Sequence, residues 1–189
     1  MKKTPLSLIF LGKCTFFSVL IHDIIMGVLL YQGGYLMSNT ILRNENVSVT
    51  LKSLGAELTS IKDASGTEYL WQGNPEFWSG QAPVLFPIVG CLRNGTATIG
   101  DNKTCSFGRH GLARRLEFDL VSSSDTCITY SLKANDKTKE QYPYDFELQM
   151  TYELTEHGVK VSHTVINHDS VVMPYCVGGH PAFNCPVFE

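Results

Sequence analysis

From Thr40 onward, apolar side chains recur at every second position in short runs separated by polar or glycine-containing breaks, the spacing of strands with one face buried. Val47, Val49 and Leu51 alternate with Ser48 and Thr50. A second run, Ala56 to Ile61, is bounded by Gly55 and Lys62-Asp63, and Ser65-Gly66 reads as a turn into Glu68-Tyr69-Leu70-Trp71. These pieces predict an antiparallel meander. Asn74 to Trp78 is a loop dense in aromatic surface. Ala82 to Gly90 is apolar, but its prolines remove backbone donors and exclude a central strand or a helix, which leaves a buried connector. Leu116 to Val121 and Cys127 to Leu132 are strand candidates around the polar Ser122-Ser123-Ser124-Asp125.

The clearest hairpin follows. Phe146, Leu148, Met150, Tyr152 and Leu154 share one face by the two-residue period, as do Val159, Val161, His163 and Val165 after the turn Glu156-His157-Gly158. His163 therefore points with apolar neighbours and reads as a sheet-face histidine, whereas His157 and His168 read as turn residues. Few stretches carry the helical period. The fold class expected is mainly β, an antiparallel β-sandwich or open barrel.

Residues 1 to 36 differ in kind. Lys2 and Lys3 precede Leu6 to Leu11, and a second apolar run from Cys14 to Leu36 is broken by His22, Asp23 and Gly33-Gly34. A bilayer span needs about 20 consecutive, mostly apolar residues; this stretch lacks them, and no small-x-small cleavage site stands out. The expectation is that the natural chain starts at Met37. Residues 37 to 189 then form one cytoplasmic domain; a real leader at 1 to 36 would instead make the protein exported or membrane-anchored.

With 189 residues, of which 43% are hydrophobic, the chain can bury one sizeable core and is too apolar for disorder. A net charge of -3 with scattered Lys and Arg gives no footprint for nucleic acid, and a membrane is not an expected partner. The six cysteines include no C-x-x-C pair, so reduced and mostly buried thiols are expected and no metal site is assigned. Asn46-Val47-Ser48, Asn94-Gly95-Thr96 and Asn102-Lys103-Thr104 match the glycosylation sequon, which matters only for a secreted chain.

Chemistry concentrates in two stretches. In Gly178-Gly179-His180-Pro181-Ala182-Phe183 the glycines let a ligand approach the backbone, and Pro181 restricts His180 to extended geometry. A held imidazole exchanges protons near neutral pH; the plainer reading is a hydrogen-bonded histidine at a strand end. In Phe107-Gly108-Arg109-His110-Gly111-Leu112-Ala113-Arg114 a second histidine sits between glycines with arginines beside it, which suits a loop around a polar ligand or a solvated basic turn.

These stretches, with Gly55-Ala56-Glu57-Leu58-Thr59-Ser60-Ile61, Glu68-Tyr69-Leu70-Trp71 and Pro83-Val84-Leu85-Phe86-Pro87-Ile88-Val89-Gly90, occur in an order that resembles the aldose 1-epimerase (galactose mutarotase) family, in particular its bacterial branch, over about Ser38 to Phe188. The resemblance implies a galactose mutarotase-like supersandwich that interconverts the α and β anomers of a free aldohexose without metal or organic cofactor. It implies that His180 protonates the ring oxygen and that His110 hydrogen-bonds the sugar nearby. Relatives place a sugar-binding arginine shortly after the Phe-Pro...Gly segment; here Cys91 follows Gly90 directly, and Arg93, two residues on, is assigned the role. The family's catalytic glutamate and a sugar-binding aspartate lie beyond anything matching Phe188-Glu189. The implied sandwich is therefore incomplete, with unpaired edges, and impaired in catalysis; a non-catalytic carbohydrate-binding β-sandwich is the alternative. Trp71, Phe77 and Trp78 offer either a ring surface for a sugar or plain core packing.

Overall fold

The computed structural model describes residues 39–185. The expectations for residues 1 to 36 lie outside the described residues. In chain order the strands are β1 (Asn39–Arg43), β2 (Val47–Lys52), β3 (Glu57–Asp63), β4 (Val84–Leu85), β5 (Thr96–Ile99), β6 (Lys103–Ser106), β7 (Asp119–Ser123) and β8 (Cys127–Lys133). The helix α1 (Asp136–Gln141) precedes β9 (Phe146–Thr155), β10 (Gly158–Asn167) and β11 (Gly178–Gly179). Every named pairing is antiparallel: a three-stranded sheet in the order β1-β2-β3, a four-stranded sheet in the order β10-β9-β8-β7, and two short ribbons, β5-β6 and β11-β4.

The two larger sheets share one core because each presents its alternate apolar side chains to the other. Leu42, Val49 and Leu51 come from one sheet, and Ile128, Tyr130, Leu148, Met150 and Tyr152 from the other, all at or near complete burial. Burying a side chain of this size contributes roughly 1.5–3 kcal/mol. The tyrosines also carry polar groups into the interface. Tyr130 donates its hydroxyl to Thr40 Oγ1 and Tyr152 donates to the carbonyl of Ala56, so both sheets are tied by hydrogen bonds. Burial pushes both phenols upward in pKa.

The β9-β10 hairpin has the expected faces, with the five alternate β9 residues buried and His163 opposite Met150. Its outer strand, β10, ends the four-stranded sheet and leaves Val161 43% exposed. The sheet thus has a free edge within the described residues.

Four details depart from the sequence reading. Glu68 to Trp71, read as a piece of the meander, makes isolated bridges at Glu68 and Leu70 rather than a strand. The strand placed at Leu116 to Val121 begins at Asp119, because Ala113–Arg115 closes a 3-10 turn that Leu116 terminates. The short helix α1 has no apolar stripe and is set by its cap: Asn135 accepts from Thr138 N, and Thr138 Oγ1 accepts from Asn135 N. Among the cysteines, Cys105 is buried but Cys91, Cys176 and Cys185 are exposed, so the expectation of mostly buried thiols is corrected. The exposed three lie in loops and at the edge of the site rather than on the inward faces of strands.

Glu147 is buried on β9 and accepts hydrogen bonds from Ser131 Oγ at 2.9 Å and Gln149 Nε2 at 2.7 Å. His168, expected as a turn residue, reaches the same carboxylate with Nε2 at 3.3 Å. Burial opposes the charge, but the hydrogen bonds from Gln149, Ser131 and His168, with Lys133 nearby, prevail and hold the carboxyl below its ordinary range. A carboxylate whose folded pKa is depressed stabilises the fold above its unfolded pKa, and that contribution is lost as pH falls through the lowered value. Glu147→Gln is expected to lower stability at neutral pH and to flatten the acid limb. Urea melts at neutral pH and at about pH 3 should differ less for the variant than for the parent chain.

Candidate active site

The site is built on Ala82 to Gly90, the connector whose prolines excluded it from a long strand. Pro83 to Pro87 are buried, and Phe86 lies entirely in the core against Tyr142 and Phe146. Val84 and Leu85 nevertheless make a two-residue ladder with Gly178 and Gly179. Both glycines therefore serve as extended backbone rather than as left-handed turn residues. The ladder continues outward, with His180 N donating to Pro83 O at 3.1 Å and Ala182 N to Gln81 O at 2.9 Å. Alternation then fixes direction: Gly179, Pro181 and Phe183 line an apolar cavity of about 190 Å³ with Leu58, Val84 and His163, while His180 meets Trp78 and His110. In that cavity the buried Nε2 of His163 has no hydrogen-bond partner among the described residues, and burial lowers its pKa, which keeps the ring neutral.

His110 is brought to the same place by an unusual turn. It has φ 69°, and Gly111 after it has φ 73°. A side chain at Gly111 would stand 2.2 Å from the carbonyl oxygen of Phe86, so this glycine is required both by conformation and by close approach. Leu112 N and Ala113 N both donate to that carbonyl, at 2.9 and 3.3 Å, which anchors the turn to the core through Phe86. From the other side His110 N donates to Gly90 O at 2.8 Å, and its ring nitrogen Nδ1 pairs with Val89 O. A carbonyl oxygen only accepts, so Nδ1 carries the hydrogen and the neutral ring keeps Nε2 as an acceptor.

The two imidazole centroids lie 6.0 Å apart at 58°, and the Trp78 ring lies 5.1 Å from His180 at 50°. His180 is exposed and His110 half-buried. Trp78 is held in turn because Trp71 Nε1 donates to Trp78 O at 2.8 Å, and Trp71 N donates to Ala182 O at 2.9 Å. Trp71 also meets Phe77 edge-on at 6.4 Å, while Phe77 itself is 74% exposed. The open readings for these aromatics thus divide: Trp78 borders the histidine pair, Trp71 supports it, and Phe77 faces solvent.

Arg93 opens an exposed 3-10 turn, Arg93–Gly95, and no hydrogen bond or ion pair joins it to either histidine among the described residues. Arg109 is closer to the pair in the chain, with Nε 3.3 Å from Cys91 Sγ. Carboxylates pair with His157 and His168, the latter at Glu147, and not with His110 or His180 among the described residues. No group of three His, Cys, Asp or Glu side chains able to hold a metal ion occurs there either. No described helix is long and apolar enough to cross a membrane.

The fold is antiparallel β, with two histidines set beside an indole ring. Residues 38–188 match the family model for aldose 1-epimerase, and the chain belongs to that family, whose fold is galactose mutarotase-like. It is 44% identical over 153 residues to the plasmid form of Protein LacX from Lactococcus lactis subsp. lactis, a match covering 78% of this chain and 51% of LacX. The structure resembles the galactose mutarotase related enzyme from Lactobacillus acidophilus, with a TM-score of 0.76 and 38% identity over 79% of this chain and 50% of that one. It resembles equally a galactose mutarotase-like protein from Lactobacillus casei, with a TM-score of 0.76 and 35% identity over 80% and 51% of the two chains. The chain thus spans about half the length of the relatives it matches.

Sequence reasoning singled out both histidines but missed what holds them. The carbonyls of Pro83, Val89 and Gly90 carry no side-chain signal. Glu57 did carry one, a lone carboxylate between Ala56 and Leu58 in an apolar run.

Proposed function

We propose that the cleft bordered by His110, His180 and Trp78 takes a free aldohexose and belongs to an isomerase that interconverts its α and β anomers. The observation that carries the reading is the pair of imidazoles 6.0 Å apart, one exposed and one tethered, beside an aromatic face. A pyranose presents both hydroxyls and an apolar C–H face, which match acceptor nitrogens and an indole ring respectively. His180 acts as the acid on the ring oxygen, His110 accepts a neighbouring hydroxyl through Nε2, and Arg93 contributes from the rim.

Opening a hemiacetal needs a proton delivered to the ring oxygen and another taken from the anomeric hydroxyl, and each positioned group contributes roughly a hundred- to ten-thousand-fold. His180 is proposed for the acid half. The base is unassigned, and the reading is of an isomerase impaired in this chain; the second reading is a sugar-binding β-sandwich that uses the same cleft without catalysis. No cofactor enters either scheme, and the site of action proposed is the cytoplasm.

Saturation-transfer NMR on D-glucose and D-galactose, with the purified chain against buffer at equal pH, separates the two. Exchange above the buffer rate establishes catalysis and calls for mutation of the acidic residues around His180. Exchange at the buffer rate, together with sugar-induced shifts of the His180 and His110 imidazole signals, establishes binding alone. A folded chain that shows no exchange above buffer and no sugar-induced shift overturns the sugar site.

A further inference from the structure

We infer that Glu57 is a positioning residue for His180, acting through the backbone of Gln81 and Ala82; the inference rests on the proposed role of His180 in the sugar cleft. Glu57 is the first residue of β3 and is 6% exposed, an uncommon setting for a carboxylate. It does not spend its acceptors on its own sheet. Oε1 accepts from Gln81 N at 3.1 Å and from Ala82 N at 2.9 Å, while Oε2 pairs with Lys52 Nζ at 2.6 Å across the β2-β3 register.

The two amides that Glu57 holds belong to the segment against which the His180 strand is paired. Gln81 O receives the N–H of Ala182, and Pro83 O, one residue beyond Ala82, receives the N–H of His180. One carboxylate oxygen is thus two hydrogen bonds removed from the His180 strand, through backbone alone. Gln81 reinforces the link by donating Nε2 to Thr59 O at 2.8 Å and to Trp71 O at 3.3 Å, and Trp71 holds both Ala182 and Trp78. Glu57 is itself fixed from behind. Ala56, at φ 47°, accepts from the buried hydroxyl of Tyr152 on β9, so the carboxylate is referenced to the rigid four-stranded sheet.

The physical consequence is specific. A buried N–H with no partner is costly, so without an acceptor at position 57 the Gln81-Ala82 segment must turn its amides to water, and the strand that carries His180 moves with it. Lys52 plays a different part, balancing the charge. Its loss with an acceptor retained should leave the geometry unchanged.

Two double variants separate the roles. Lys52→Met with Glu57→Gln keeps a carbonyl oxygen facing Gln81 and Ala82 without an ammonium facing the new amide, and Lys52→Met with Glu57→Leu keeps volume but removes the acceptor. Amide hydrogen exchange is read at Gln81, Ala82, His180 and Ala182, with β8 and β9 as reference, and the His180 imidazole signal reports its distance from the Trp78 ring. The expected result is faster exchange at those four amides in the Leu variant, unchanged protection in β8 and β9, and loss of the Trp78 ring-current shift at His180, with all three restored in the Gln variant. Equal behaviour of the two variants, or a uniform loss of protection that includes β9, overturns the inference. If the Leu variant does not fold, Glu57→Asp, which withdraws the carboxylate by one methylene, must loosen the same four amides, and no loosening there also overturns it. A failed sugar reading shows separately, as a missing hexose-induced shift in the unaltered chain.

Discussion

Gly111→Ala is expected to be among the most damaging single-methyl additions in the chain. Gly111 sits at φ 73°, and an added Cβ would lie 2.2 Å from Phe86 O, 2.5 Å from Phe86 C and 2.8 Å from Pro87 N. These are backbone atoms of a residue packed at the centre of the core, and Phe86 O already serves two amide donors, so the obstacle cannot swing aside. Roughly 1–3 kcal/mol of conformational strain and a similar overpacking cost give a loss of about 4 kcal/mol, a large share of the stability of an ordinary domain. Gly108 supplies the control, because nothing lies within 4 Å of its Cβ direction and no positive φ is required. Urea unfolding of Gly111→Ala and Gly108→Ala should show a large fall in midpoint for the first and little change for the second. Equal midpoints would show that the turn relaxes around the methyl group and that His110 is not rigidly seated.

The second large effect concerns catalysis. In any form of the protein with anomer exchange above the buffer rate, His180→Gln is expected to remove roughly a hundred- to ten-thousand-fold of it, because glutamine fills similar space and still hydrogen-bonds but cannot deliver a proton. Hexose affinity should change little, since His110 and Trp78 remain. Anomer exchange by saturation transfer, paired with a sugar titration, reads both quantities. Retained exchange would move the acid role away from His180, and lost affinity without lost exchange would make it a binding group only.

Much of the architecture was legible because burial on one face imposes the two-residue period wherever a strand lies on a core. The β9-β10 hairpin is the clear instance, with its register running residue by residue from Gly158 opposite Thr155 to Asn167 opposite Phe146. The β5-β6 ribbon escaped notice because its faces are mixed; Ala97, Ile99 and Cys105 pack inward among polar neighbours, and the turn is made by Gly100 and Asn102 at positive φ. The helix α1 escaped because a cap, rather than a stripe, defines it.

At the site the division is similar. His110 and His180 stood out because glycine and proline around a histidine restrict the backbone in ways that packing alone does not demand. That they face each other, 6.0 Å apart and next to Trp78, was not visible, since 70 residues of chain separate them. Neither were the roles of Glu57 as an acceptor for a distant loop, of His168 as a partner of Glu147, or of Arg109 beside Cys91.

By itself the sequence determined the β class, the faces of the long hairpin and the buried connector, and it singled out the two glycine-flanked histidine stretches, because each depends on periodicity or on the conformational limits of neighbouring residues. Only the tertiary structure decided which carbonyls hold those histidines, which ring lies beside them, and that a carboxylate on β3 accepts from the segment paired with the His180 strand. Those pairings are made between residues far apart in the chain, and hydrogen bonds to backbone atoms leave no mark on the residue that accepts or donates them.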